Sequence, residues 1–351
     1  MSGPQACVLP PELLLHIVDS LVPPQSTVAL RHSDTAVKSI LAFACVSRLT
    51  YPAAIRHLFS RCLFIDSENR LRLLLISLET LLAPARYATT TLPHIDVKPL
   101  LTSLYLAPFP SRSIDSQPIA QWIFELFAIM KPSLKRLAIN MPFDTMAPEL
   151  DHLSVIPKLE AAFRQLDNLE EFISCGSFGH HDWLPLRNLK KIALRGTYLE
   201  DLMPFIQPES VSNVERIVLA VPTFYMPSSR RVFLHKIASC RTEFVLLHEV
   251  DSLRSYWKDI ERWMSMGTGD SSTNHGTSHR NECLERFCVP QDPDHCTRWL
   301  LERALEGRLW DAETEPELFL GHSPWEDDIW PRFPDGTINI DHTIGFTLPG
   351  L

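Results

Sequence analysis

The stretch 134-LKRLAI-139 has leucine at its first and fourth positions and isoleucine at its sixth, and this L-x-x-L-x-L pattern recurs along the chain. It returns as 101-LTSLYL-106, 169-LEEFIS-174, 189-LKKIAL-194 and 214-VERIVL-219, with a degenerate copy at 241-RTEFVL-246. First positions at 101, 134, 169, 189, 214 and 241 give steps of 33, 35, 20, 25 and 27 residues. Such spacing is near the period of solenoids that contribute one strand per repeat to a parallel sheet. The longer steps leave room for helices at 117-QPIAQWIFELFAIMK-131 and 157-PKLEAAFRQL-166. The fold class predicted from this pattern is therefore α/β, with a parallel sheet and helices between strands.

The residues between the inward leucines carry a second pattern. Lys135-Arg136, Glu170-Glu171, Lys190-Lys191 and Glu215-Arg216 would set opposite charges side by side on neighbouring strands, which modestly stabilises a sheet and fixes its order. Between the two inward apolar positions of each unit stand Tyr105, Ala138, Ile173, Ala193 and Val218, a mainly apolar column. On a solenoid this column lines the concave face, where apolar side chains are unusual unless something covers them. The reading assigns Tyr105, Arg136, Ile173, Lys191 and Val218 to a substrate-binding face. The aromatic, acidic segment 310-WDAETEPELFLGHSPWEDDIWPRF-333 is complementary to it, and part of residues 310–351 is expected to lie there as a cap or an internal competitor.

Ahead of the repeats, 9-LPPELLLHIVDSLV-22 opens with two prolines that suit a helix start, with Glu12 near the positive end. Leu13, Ile17 and Leu21 make one apolar stripe and Leu14, Val18 and Val22 a second beside it, so one stripe is free to meet something other than the chain's own core. A polar, proline-broken linker follows. In 37-VKSILAFACVSRLTYPAAIRHLFSRCLFI-65, Val37, Ile40, Leu41, Ala44 and Cys45 recur at helical spacing, Pro52 restarts a short helix, and 62-CLFI-65 reads as a first strand.

These residues, LPPELLLHIVDSL, a linker and then LAFACVSRLTYPAAIRHLF, resemble the F-box, the helical module by which adaptor proteins dock on the Skp-type subunit of cullin-based ubiquitin ligases. The resemblance covers residues 7–65 and is closest to the F-box-like proteins of filamentous fungi. Repeats of the leucine-rich type stand behind many F-boxes. The resemblance implies a non-catalytic substrate-recognition subunit that holds the Skp-type adaptor through Leu9, Pro10, Leu13, Ile17, Leu41, Val46 and Leu58, and an unknown protein substrate through the repeats. Here the linker is longer than in the compact F-box, and Leu49 stands where many members have tryptophan. A scaffold that keeps the head without ligase docking is the alternative.

The remaining features bound the reading. From Asp311 onward nine acids face the single base Arg332, so that segment holds −8 of the net charge of −9 and the rest is close to neutral. The chain offers no basic stripe for nucleic acid and no apolar run of bilayer length, and with no secretory signal it reads as cytoplasmic or nuclear. Cysteines 7, 45, 62, 175, 240, 283, 288 and 296 read as reduced thiols. His275, His279, Cys283, Cys288, His295 and Cys296 form the most metal-like cluster, and a metal-dependent enzyme built on it is the remote alternative. Its C-x4-C and C-x7-C spacings lack the close pairs of zinc sites, so no metal and no cofactor are expected. His180, His181 and Asp182 read as a polar turn. In 175-CGSFG-179 Cys175 replaces the glycine a nucleophile elbow needs, and no phosphate-binding glycine loop is present, so no catalytic residue is assigned. The expected organisation is an F-box-like domain at 7–65, an irregular leucine-rich-repeat-like solenoid at 66–264, a flexible loop at 265–282, and a C-terminal helix with an acidic tail at 283–351, the helix covering 296–311.

Overall fold

A computed structural model describes residues 9–22, 27–82, 93, 95–110, 114–143, 151–178, 183–185, 187–196, 213–220, 243–249, 284–289 and 293–311. All of them belong to the first of two compact units, residues 1–312. In chain order the elements are α1 (Pro11–Ser20), α2 (Thr35–Val46), α3 (Tyr51–Arg61), β1 (Phe64–Ile65), α4 (Glu68–Leu82), β2 (Ser103–Leu106), α5 (Gln117–Met130) and β3 (Arg136–Ile139). They continue with α6 (Val155–Arg164), β4 (Glu171–Ser177), β5 (Lys191–Arg195), β6 (Arg216–Ala220), β7 (Glu243–Glu249), β8 (Leu284–Val289) and α7 (Pro293–Glu306).

The eight strands form one parallel sheet in the order in which they occur along the chain. Ser103, Arg136, Glu171, Lys191, Arg216 and Glu243 are in register across six strands, each two residues after the first position of its L-x-x-L-x-L copy. The strands enter the sheet alike: the N–H groups of Lys135 and Arg136 both donate to the Thr102 carbonyl, Glu170 and Glu171 to Lys135, Lys190 and Lys191 to Glu170, and Glu215 and Arg216 to Lys190. Just before each of three strands an asparagine ties its turn to the preceding one. Asn168 Nδ2 donates to the carbonyls of Lys131 and Pro132 (both 3.2 Å), Asn188 to Asp167 (2.7 Å) and Asn213 to Arg187 (2.8 Å). Ser133 does the same for the first turn, donating to Leu101 at 3.2 Å. The recurring asparagine thus lies three residues ahead of the first residue of its strand.

Because successive strand side chains alternate between faces, the sheet builds two cores. One face places Leu104, Leu106, Leu137, Ile139, Phe172, Ile192, Leu194, Ile217 and Leu219 against α4, α5 and α6, whose Leu71, Leu78, Ile123, Phe127, Leu159 and Phe163 are all fully buried. The other face carries Tyr105, Ala138, Ile173, Cys175, Ala193, Val218 and Ala220, and meets Leu300, Ala304 and Leu309 of α7 and the turn after it, together with Val28 and Ala29. The small side chains of Ala138, Ala193 and Ala220 let a helix approach closely. Gly307, at φ 75°, closes α7 in the left-handed conformation that favours glycine, so the helix stops earlier than the expected 311.

At the N-terminus α1, α2 and α3 pack around Val18, Val37, Ile40, Ala53 and Ala54. Thr50 closes the α2–α3 turn: its hydroxyl donates to the Phe43 carbonyl at 2.6 Å and its N–H to Ser47 Oγ at 3.1 Å. His57 Nε2 meets Asp19 Oδ1 at 2.7 Å, joining α3 to α1.

One expected domain boundary changes: the parallel sheet does not end at 264, because β8 lies within 283–351 and extends the sheet beside β7. In the register that sets Leu284 beside Phe244, the first and sixth template positions fall on Asn281 and Arg286, so the strand had no signature. The helix α4 also has no counterpart in the sequence reading. The loop 265–282, His180, His181, Asp182 and the tail from 312 onward lie outside the described residues, as do His275, His279 and Cys283. Of Cys288, His295 and Cys296 only the backbone is described. No helix of the described residues is long and apolar enough to cross a membrane.

Candidate functional site

Helix packing divides α1 by stripe. Val18 is fully buried and Leu14 half-buried, whereas Leu13 and Ile17 remain 49% and 38% exposed. Leu9 and Pro10 extend that outward stripe, and both are exposed. Across from α1, Val37 and Ile40 fix the inner side of α2, which leaves Leu41 and Val46 on the outside at 49% and 72% exposed. Leu49, in the α2–α3 turn, is exposed as well, while Leu58 of α3 is half-buried. Six of the nine exposed large apolar side chains among the described residues thus belong to 9–49, far more than a solvated three-helix unit requires. Cys45 is exposed within the same stretch.

The residues assigned to a substrate face divide differently. Tyr105, Ile173 and Val218, assigned from the sequence to a substrate-binding face, are buried beneath α7 and the Val28–Ala29 segment, so that assignment is corrected for these three; of the segment expected to cover them, Trp310 packs against the same cluster. The physical reason is the one that made the column unusual: a large apolar face is costly in water unless another element covers it. Burial keeps the Tyr105 hydroxyl protonated, with Asn140 as its hydrogen-bond partner, and pushes the Cys175 thiol up to about 12. Arg136 and Lys191, at the strand entrances, are half-buried. Burial disfavours the charged form of Arg136, and Glu171 and Glu170 counter this.

One residue gathers this charged row. Trp310 donates its indole N–H to Glu171 Oε2 at 3.0 Å, accepts a hydrogen bond on its carbonyl from Arg216, and has the Lys191 ammonium 5.6 Å from its ring centre. The aromatic start of the 310–333 segment therefore does reach the repeats, at the strand entrances. Outside it, Glu170 accepts from Lys135 and Lys190, both at 3.0 Å, and these two hydrogen bonds hold its carboxyl below the usual range.

Sequence reading overlooked Val28 and Ala29. The run 27-TVAL-30 is buried throughout, and the Val28 N–H donates to the Ala304 carbonyl at 3.2 Å. Its signal was present as an apolar run inside an otherwise polar linker.

Among the described residues no group of three or more His, Cys, Asp or Glu is arranged to hold a metal. No family model, no curated protein and no solved structure matches this chain.

Proposed function

We propose that the chain is a non-catalytic interaction protein: an F-box-type head on an irregular leucine-rich-repeat solenoid, acting as a substrate-recognition subunit of a cullin-based ubiquitin ligase. The observation that carries this reading is the exposed apolar surface of the head, where Leu9, Pro10, Leu13, Ile17, Leu41 and Val46 would meet the Skp-type adaptor. Leu58, half-buried on α3, is assigned to the same surface by the resemblance. Support for the solenoid comes from the in-order parallel strands and from the repeated asparagine and backbone bonds that join each turn to its neighbour.

The test is co-purification of the full chain with a Skp-type subunit. Burying one Leu or Ile side chain contributes about 1.5–3 kcal/mol, so changing Leu13 and Ile17 together to Asp removes about 3–6 kcal/mol and abolishes association. Both positions are exposed, so the far-UV spectrum and melting temperature stay near those of the parent. A parent chain that never co-purifies with the adaptor refutes the ligase reading.

The scaffold reading has its own support. The long linker that departs from a compact F-box is packed into the second core through Val28 and Ala29, so the head also serves the fold itself.

A further inference from the structure

With α7 on the apolar face, recognition of a partner needs another surface. A cleft of about 470 Å³ opens where β1 and β2 end, between the first turn of α4 and the β2–α5 connection. Crevices beyond the carboxyl ends of parallel strands are favoured ligand positions, and this volume falls in the range of small-ligand and short-peptide sites. Phe109, Trp122 and the prolines 108 and 110 form one wall; Glu68 and Arg72 of α4 form the other. Two carboxylates lie here, but Asp66 is already engaged by Arg70 at 3.1 Å. Glu68 has no ion pair among the described residues, although Arg72 stands one helical turn away; Arg72 instead reaches Asn69 Oδ1 at 3.4 Å. A carboxylate with no ion pair among the described residues, lining the same cleft as a half-buried indole, is an arrangement suited to a guanidinium or ammonium group.

The cleft continues along α4. Asn69, Arg72, Leu73 and Ile76 occupy one helical arc, since positions 3, 4 and 7 residues apart share a face. Leu73 and Ile76 are each 50% exposed. This arc therefore joins a polar, aromatic-walled cleft to an apolar ridge.

We infer that the groove formed by this cleft and the Leu73–Ile76 ridge receives a peptide segment of a partner protein, with a basic side chain over Trp122 beside Glu68 and apolar side chains along the ridge. The inference rests on the reading of the repeats as the recognition half, and it is independent of docking by the head. Arg72 is positioned to donate to the carbonyls of such a segment.

The experiment uses the purified full chain without any ligase subunit, so its failure is separate from failure of head docking. The probes are acetyl-Leu-Leu-Ala-Arg-amide and its counterpart ending in Glu-amide, titrated while the tryptophan indole N–H resonances are followed by NMR. Trp122 is assigned by loss of its signal in Trp122→Phe. The arginine probe is expected to shift that signal and the glutamate probe to leave it. Glu68→Gln, an exposed change compatible with folding, is expected to raise the arginine probe's Kd about fivefold, and Leu73→Lys to raise it further. No shift with the arginine probe, an equal shift with the glutamate probe, or a Kd unaltered by Glu68→Gln would overturn the inference. So would concentration-dependent self-association abolished by Leu73→Lys, which would give the groove to a second copy of the chain.

Discussion

The helix over the second face of the sheet makes a quantitative demand. Leu300 is fully buried in the cluster that includes Ile173, Ala193 and Val218, and α7 lies against β4 and β5. Leu300→Ala removes its buried branched end and leaves a cavity that the rigid sheet cannot collapse, at a cost of about 2–5 kcal/mol. Domains of this size hold about 5–15 kcal/mol in total, so the loss is large without unfolding the chain at room temperature. At about 2–4 °C per kcal/mol, the melting temperature should fall by about 4–20 °C. Leu73→Ala, at a half-exposed position on α4, is the control and should cost about 0.5 kcal/mol or less. The two variants are compared by thermal and urea unfolding followed by circular dichroism. A double-mutant cycle with Ile173→Ala then separates contact from general loosening. Residues packed together deviate from additivity by about 0.5–3 kcal/mol, and distant ones add. If Leu300→Ala melts no lower than Leu73→Ala, or adds simply to Ile173→Ala, then α7 is not the cover of the sheet and the burial of Tyr105, Ile173 and Val218 needs another cause.

Asn188→Ala removes the 2.7 Å bond to the Asp167 carbonyl without touching either core, and should cost about 1 kcal/mol, seen as a lower urea midpoint at unchanged slope. Glu170→Gln tests the outer charged row. Because the native carboxyl is held below its unfolded value, its contribution is present at neutral pH and lost as pH falls through the native value. On a partly exposed pair that contribution is under about 1 kcal/mol. The difference in melting temperature between Glu170→Gln and its parent should thus be visible at pH 7, vanish in strong acid, and shrink in molar salt.

The repeats were legible because inward leucines recur on one strand face and nothing else in the chain imposes that spacing. Their copies at 101, 134, 169, 189, 214 and 241 stand in the observed register to the residue. The last strand was not legible, since Asn281 and Arg286 occupy the first and sixth positions, where the template wants apolar residues, and only pairing with β7 makes 284–289 a strand. On the head, two apolar stripes on α1 predicted one inward and one outward face, and Val18 against Leu13 and Ile17 divides as the pattern requires. The identity of the cover over Tyr105, Ile173 and Val218 was beyond periodicity. A local pattern states that a face is apolar, but which distant segment lies on it depends on closure across most of the chain.

That closure governs when the protein can become itself. Val28 leaves the ribosome early, yet the carbonyl it bonds belongs to Ala304, 276 residues later. At about 5–20 residues per second, the linker waits about 15–55 s for its partner. Throughout that interval the head's three helices can form, but the tether beneath them is unattached and the apolar face of the growing sheet lies open. A nascent or prematurely ended chain therefore exposes one more apolar surface than the finished one, a difference that chaperones and proteases can read as a test of completeness.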